Sequence, residues 1–181
     1  MARAAKWMAA QGLVTGSSGN VSVRVGETVL ITPSGIPYQG LDPRQVVEMD
    51  GEGRRRSGSG VPSSEWRMHV AIYRGRGEVR AIVHTHAPYA TAVALAGALP
   101  VVHDEGKILF GESIPCSRPA PPGTWGLADG VAAALGSTGK AALIGRHGAV
   151  TVGATLGEAL GLAVKVEEAA RLSLIGRRPG A

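Results

Sequence analysis

Aromatic residues are scarce in this sequence: seven of 181 residues, or 4% (three Trp, three Tyr and one Phe). The core must therefore be built from Ala, Val, Leu and Ile. Hydrophobic residues make up 44% and charged residues 18%, which is typical of a globular chain and excludes a disordered one. No basic residues alternate with aromatic ones, so the net charge of +5 does not predict a nucleic-acid surface. The same charge suits a small anionic substrate.

Cysteine and long apolar runs are also lacking. Cys116 is the only cysteine, so no disulfide can form within the chain, which indicates a reducing, cytoplasmic compartment. The N-terminus shows no signal pattern. The most apolar stretch, residues 87–102, contains Pro88 and Pro100 and is too short to span a bilayer. We expect one domain over residues 1–181, with no membrane partner.

A pair of histidines follows the apolar run 79–83. On a strand, His84 and His86 share one face, so both imidazoles can reach one metal ion. The spacing alone is also compatible with a structural pair. A catalytic zinc site needs a third ligand. The candidates are Glu or Asp residues and the other three histidines, His69, His103 and His147. His147 directly follows an apolar strand, where functional side chains gather in sheet-based enzymes, whereas His69 shares a helix face with Glu65.

Three segments place small hydroxyl residues beside glycine or at the start of a helix, and are candidates for an anion site: 17–20, 32–35 and 62–64. The last opens a predicted helix with a serine N-cap and Glu65 in its first turn, and free N–H groups at such a terminus favour phosphate. Glu65 could ligate a metal or transfer a proton. Taken singly, each segment is better explained as an ordinary turn or cap, and Glu65 as a capping residue.

The remaining pattern predicts a mixed α/β chain. Residues 21–25 and 28–32 predict a hairpin, the first strand alternating as a half-buried strand does. The other predicted strands are 46–50, 79–84, 141–144 and 149–152, and the other predicted helices are 3–11, 88–98, 127–135 and 155–174. Thr155 and Glu158 suit a capping box on the last helix. Such an order indicates a three-layer sandwich around a central sheet.

Together, these segments resemble class II aldolases of the fuculose-1-phosphate aldolase type, in a superfamily that also contains ribulose-5-phosphate 4-epimerase and the adducin head domain. The resemblance covers roughly residues 10–175. The combination is highly specific, although no single piece is. The matching segments are residues 19–24, 31–38, 62–67, 84–86, 113–116 and 147–148.

The resemblance implies an α/β/α sandwich around a mixed or antiparallel sheet. It also implies a zinc enzyme, with Mn²⁺ or Co²⁺ as alternatives, that cleaves a small ketose 1-phosphate to dihydroxyacetone phosphate and an aldehyde. His84, His86 and His147 would hold the metal, and Glu65 would act as acid/base and as a further ligand at rest. The phosphate would be received by Ser17, Asn20, Ser34, Gly35, Ser63 and Ser64. A homotetramer with active sites at subunit boundaries is expected.

One position departs from that pattern. Asp104 stands where the fuculose-phosphate aldolases carry a tyrosine that handles the aldehyde-side proton in a neighbouring subunit's site. Asp104 or Glu105 would take over this role from an adjacent subunit, or both are plain surface residues. The substrate would be fuculose-1-phosphate-like or a deoxy- or methylthio-pentulose phosphate. A pentulose-5-phosphate 4-epimerase and a non-catalytic adducin-like module are the alternatives, and the retained metal ligands favour an enzyme.

Overall fold

A central eight-stranded sheet organises the chain in the computed structural model, which describes residues 1–176. The strands are β1 (Asn20–Val25), β2 (Thr28–Ile31), β3 (Val47–Met49), β4 (Arg55–Ser57), β5 (Ala81–Thr85), β6 (Leu99–Pro100), β7 (Ser113–Ile114), β8 (Cys116–Ser117), β9 (Ala141–Ile144) and β10 (Gly148–Gly153). Their order is β4-β3-β2-β1-β5-β10-β9-β8, while β6 and β7 pair separately. In the described part of the chain, β8 and β9 are the one parallel pair of the large sheet, so the predicted mixed sheet is confirmed.

Helices cover both faces of the sheet, which confirms the predicted three layers. They are α1 (Ala2–Ala10), α2 (Trp66–Gly75), α3 (Pro88–Ala94), α4 (Asp104–Phe110), α5 (Trp125–Leu135) and α6 (Leu156–Ile175), with short 3-10 turns at Tyr38–Gly40 and Pro43–Gln45. One buried apolar cluster joins the sheet to α2 and α5, and another joins it to α1, α3 and α6. No helix within residues 1–176 combines the length and apolarity needed to cross a bilayer.

The central strand β5 shows how the two layers are specified. Ala81 and Val83 belong to the cluster that contains α6, whereas Ile82 belongs to the cluster that contains α2. Successive side chains of a strand point to opposite faces. His84 therefore follows Ile82 onto the α2 side, and it is completely buried there.

The start of α2 differs from its prediction. Glu65, and not a serine, occupies the N-cap position, and its side chain caps no backbone N–H group. The carboxylate points elsewhere: its Oε2 atom accepts Nδ2 of Asn20 at 3.3 Å and lies 2.9 Å from Nε2 of His84. Ser63 instead accepts the backbone N–H of Glu65 at 3.3 Å, just ahead of the helix.

The cap of α6 is largely as predicted. The Thr155 hydroxyl accepts the Glu158 N–H at 3.1 Å. The Glu158 carboxylate accepts the N–H of Ala154 at 2.8 Å, one residue before the N-cap, so the reciprocal bond of the box is displaced by one residue. α3 ends at Ala94, four residues earlier than predicted.

The half-buried assignment of β1 is wrong. Asn20 and Ser22, on its polar side, are as buried as Val21, because α2 lies over that side of the strand. Alternation of polar and apolar residues shows that the two faces of a strand differ in polarity. Whether the polar face is exposed to water depends on what packs against it.

Candidate metal centre and adjoining cavities

Four side chains converge at the end of β5. Ligand atoms of Glu65, His84, His86 and His147 all lie within 4.8 Å of one another. The predicted side-by-side placement of His84 and His86 is confirmed, with their Nε2 atoms 2.9 Å apart. The Nε2 atoms of His147 and His86 are 3.1 Å apart.

Antiparallel pairing on both sides of β5 fixes this arrangement. Asn20 of β1 and Val150 of β10 both lie opposite His84. Gly19 allows a close approach of the two chains here, since a Cβ on it would lie 2.5 Å from the carbonyl oxygen of His84, and its φ is +67°. His147 sits in the tight connection from β9 to β10. It follows Arg146, whose φ of 62° is the only positive value at a non-glycine among residues 1–176.

Hydrogen bonding fixes the tautomer of His84. Its Nδ1 lies 2.9 Å from the carbonyl oxygen of Ala149, which can only accept, so Nδ1 carries the hydrogen. The Nε2 atom then presents its lone pair to the cluster, as metal-ligating histidines do. Burial, with the neighbouring imidazoles, lowers the pKa of His86 to about 4, and burial lowers the pKa of His147, so these rings are neutral at pH 7.

Glu65 supplies the negative charge of the cluster. Its Oε2 atom lies 2.9 Å from Nε2 of His84, and its Oε1 atom lies 3.5 Å from Nε2 of His147. Burial raises the pKa of this carboxyl, but the surrounding imidazoles of His84, His147 and His86 outweigh it once acid has protonated them, and together they bring the pKa to about 2. Glu65 is therefore a carboxylate at neutral pH although only 6% of its surface is exposed.

The donor set fits a divalent cation. Oε1 of Glu65 is buried and accepts no hydrogen bond from residues 1–176, which is costly for a charged oxygen unless a cation is nearby. Three imidazole nitrogens and one carboxylate oxygen are the ligand types and number of a zinc site. His84, His86, His147 and Glu65 are the residues that would hold the ion.

Two of the alternative ligands lie elsewhere. His69 is completely buried between β1 and α2 and contacts Asn20 and Ser22, not the cluster. His103 precedes α4, and neither of its buried ring nitrogens has a hydrogen-bond partner within residues 1–176. Asp104 and Glu105 begin α4 and are exposed; Glu105 pairs with Lys165 at 2.9 Å. Neither acidic residue joins the four-residue cluster of this chain.

A cavity of about 250 Å³ adjoins the cluster at Glu65, His86 and His147. Five of the six residues predicted to bind phosphate line it: Ser17, Asn20, Ser34, Ser63 and Ser64. Gly35 follows Ser34 in the same exposed turn, with φ of +74°, but does not line the cavity.

Backbone contacts bring the three serine-containing segments together. The N–H of Ser34 donates to the Val61 carbonyl at 2.8 Å, and the N–H of Ser63 donates to the Thr32 carbonyl at 3.2 Å. The Tyr38 hydroxyl donates to the Gly19 carbonyl at 2.6 Å and ties the first segment to the second. The three segments that the sequence offers as candidates for an anion site therefore lie side by side.

A second cavity, of about 520 Å³, also borders His86 and His147. Pro119, Ala120 and Pro122 make one part of its lining mostly apolar, and Arg146 adds a cation. Nothing in the sequence indicates this cavity, because it depends on the Pro-rich segment after β8 lying against the β9–β10 connection. The positive φ at Arg146 is likewise invisible in the sequence.

Both the sequence and the fold of this chain are similar to those of known aldolases. The family model "Class II Aldolase and Adducin N-terminal domain" matches residues 1–174. An L-fuculose phosphate aldolase of Escherichia coli O6:H1 is 44% identical over 90% of this chain and 75% of its own length. A 5-methylthioribulose-1-phosphate/5-deoxyribulose-1-phosphate aldolase of Rhodospirillum rubrum is 42% identical over 92% of this chain and 75% of its own length. A solved L-fuculose 1-phosphate aldolase superposes with a TM-score of 0.94 at 31% identity, over 99% of this chain and 85% of that one.

Proposed function

The chain belongs to the family of class II aldolases and adducin N-terminal domains, and from this premise we propose that it is a divalent-metal aldolase acting on a small ketose 1-phosphate. The products would be dihydroxyacetone phosphate and an aldehyde. One observation carries the proposal: a buried carboxylate and three imidazoles meet at the mouth of a serine-lined cavity. An adducin-like module without catalysis has no need of such a cluster.

The two cavities suggest how the substrate lies. The serine-lined cavity suits the phosphate, because hydroxyl and amide groups donate to phosphate oxygens. The cavity beside Pro119 and Ala120 would receive the aldehyde fragment. The relatives act on fuculose phosphate and on methylthio- or deoxyribulose phosphates. We propose a substrate of one of these two kinds.

We assign the roles as follows. His84, His86 and His147 hold the metal, with Glu65 as a further ligand at rest. The bound ion would supply Lewis-acid stabilisation of the negative charge left on the ketose fragment by C3–C4 cleavage, worth several kcal/mol. In the condensation direction the Glu65 carboxylate, through its unpaired Oε1 atom, removes a proton from the carbon that becomes C3 of the ketose. In the cleavage direction Glu65 first takes up a proton from solvent and then gives it to that carbon. The serine-lined cavity holds the phosphate so that this carbon stays in reach of Glu65.

The finer assignments are also proposals. The metal is zinc, with Mn²⁺ or Co²⁺ as substitutes, and the enzyme works in the cytoplasm. Residues 1–181 form one domain, of which residues 177–181 lie outside the described structure. The protein assembles as a homotetramer whose active sites lie at subunit boundaries. Asp104 of an adjacent subunit handles the aldehyde-side proton, which its exposure on this chain permits.

The test uses the purified, zinc-loaded protein with L-fuculose 1-phosphate, 5-deoxyribulose 1-phosphate and 5-methylthioribulose 1-phosphate. Release of dihydroxyacetone phosphate is followed with a coupled reductase. We expect release from at least one of the three, abolished by a chelator and restored by Zn²⁺. In a parallel assay with a pentulose 5-phosphate, inversion at C4 without release of a fragment would replace the proposal by the 4-epimerase. No turnover and no bound metal would favour the adducin-like module.

A further inference from the structure

A row of polar side chains crosses the boundary between β1 and α2, in the middle of an otherwise apolar layer. We call it the β1–α2 polar seam. From β1 it contains Asn20, Ser22 and Arg24, and from α2 and its N-cap it contains Glu65, His69 and Tyr73. Two residues of a strand advance about 6.6 Å and four residues of a helix about 6 Å, so the two series stay in step.

Hydrogen bonds run along this seam from its far end to the metal centre. The Tyr73 hydroxyl and Oγ of Ser22 are 2.8 Å apart, and Oγ of Ser22 lies 2.6 Å from Nδ1 of His69. The other ring nitrogen of His69, Nε2, contacts Oδ1 of Asn20. Nδ2 of Asn20 donates to Oε2 of Glu65 at 3.3 Å and to Oγ of Ser63 at 2.9 Å.

The carboxylate of Glu65 sets the direction of these bonds. A carboxylate only accepts, so Asn20 must turn its NH₂ group toward Glu65 and its carbonyl oxygen toward His69. That oxygen also only accepts, so His69 must carry its hydrogen on Nε2. Burial lowers the pKa of His69 to about 3, so the ring is neutral and Nδ1 accepts the hydroxyl of Ser22.

We propose that His69 is a positioning residue, which holds the amide of Asn20 with its N–H donors aimed at Glu65. Asn20 in turn anchors Oε2 of Glu65 and leaves Oε1 unpaired at the metal centre. A ring with Nε2 as acceptor would turn the Asn20 carbonyl toward the carboxylate and repel it. The effect on turnover rests on the function proposed above, whereas the tautomer of His69 does not.

Two substitutions separate this role from plain core packing. Gln in place of His69 offers an N–H donor to Asn20 and an acceptor to Ser22, whereas Leu offers neither. We expect His69→Leu to retain the metal and to lower kcat about 10- to 100-fold, with a smaller change in KM. Losses of this size are typical when a residue that orients a metal ligand through hydrogen bonds is removed. His69→Gln should restore most of the rate. Ile72→Val, a buried apolar change on the same helix, controls for lost stability and should leave kcat unchanged.

The tautomer is measured independently, by imidazole ¹⁵N NMR on the zinc-loaded wild type, with the His69 signals identified by their loss in His69→Gln. We expect a protonated Nε2 and an unprotonated Nδ1. The opposite tautomer would overturn the proposal even if His69→Leu failed to fold. A folded His69→Leu protein whose kcat equals that of the wild type would also overturn the proposal. If none of the ketose 1-phosphates were cleaved by the wild type, the aldolase assignment would fail while the NMR result still decided the positioning role.

Discussion

His69 makes the fold sensitive to acid in a predictable window. Its pKa is about 3 in the folded chain, where burial disfavours the charged ring, and ordinarily about 6.5 when unfolded. Below pH 6.5 the unfolded chain therefore binds a proton that the folded chain does not. Stability from this residue is fully present above pH 6.5 and is lost as pH falls toward 3. At pH 4.5, two pH units below the unfolded pKa, the loss is about 3 kcal/mol.

Substitution isolates this contribution. Glutamine does not titrate, so the free energy of unfolding of His69→Gln should fall less between pH 7.5 and 4.5, by about 2–3 kcal/mol, than that of the wild type. His86 and His147 also have lowered pKa values, but both proteins share them and they cancel in the difference. Glu65, with a pKa near 2, adds a loss only as pH falls through its ordinary value of 4.5 toward 2.

The assay is urea unfolding followed by circular dichroism at one protein concentration, in a chelator so that metal release does not contribute. It is repeated at pH 7.5, 6.5, 5.5 and 4.5 for both proteins. Parallel curves would refute the reasoning, since they would mean that His69 is already charged in the folded chain or that its pKa is not lowered.

The remaining predictions concern the metal centre and the backbone around it. Glu65→Gln should leave metal content and fold intact and lower kcat by about 10²–10⁴, and an unchanged rate would remove Glu65 from the proton transfer. His84→Ala should lose the metal on gel filtration, so full retention by elemental analysis would contradict the ligand set. Thr155→Ala removes the hydroxyl that caps α6 and should lower the free energy of unfolding by about 1 kcal/mol with no change in kcat. Gly19→Ala should lower both melting temperature and turnover, because its Cβ meets the carbonyl of His84, whereas Gly16→Ala has a similar φ with nothing within 4 Å and should lower only the melting temperature.

Local signals explain what the sequence predicted well. The apolar run before His84 and the histidine spacing fixed a strand and the face of two ligands, and the structure confirms that they meet. The apolar run before His147 likewise placed that residue beside a strand end. For these histidines, the residues next to them in the sequence were enough to predict where they lie relative to a strand.

Contacts between segments that are distant in the sequence were not predictable in the same way. The burial of Asn20 and Ser22 requires α2 to lie over β1, and 40 or more residues separate the hydrogen-bonded partners. Glu65 looked like a first-turn acid because nothing local shows that His84 lies 2.9 Å away. The sequence does, however, show polar residues at every second position of β1 and at every fourth position of α2. Matching these two spacings, which advance by nearly the same distance, would have predicted the β1–α2 polar seam.

The metal centre lies at the end of a central strand of the sheet, and this location determines where the chain tolerates insertions and deletions. Loss of one residue between Ala81 and Val83 would carry His84 to the place of Val83, on the opposite face of the strand. Strands β1 and β10 bind it on both flanks, so no neighbour could absorb the shift. Strand β4, by contrast, ends the sheet, and all three of its residues are exposed. Lengthening the loop at 51–54 would leave the register of β5 unchanged, because this loop joins β3 only to the edge strand β4.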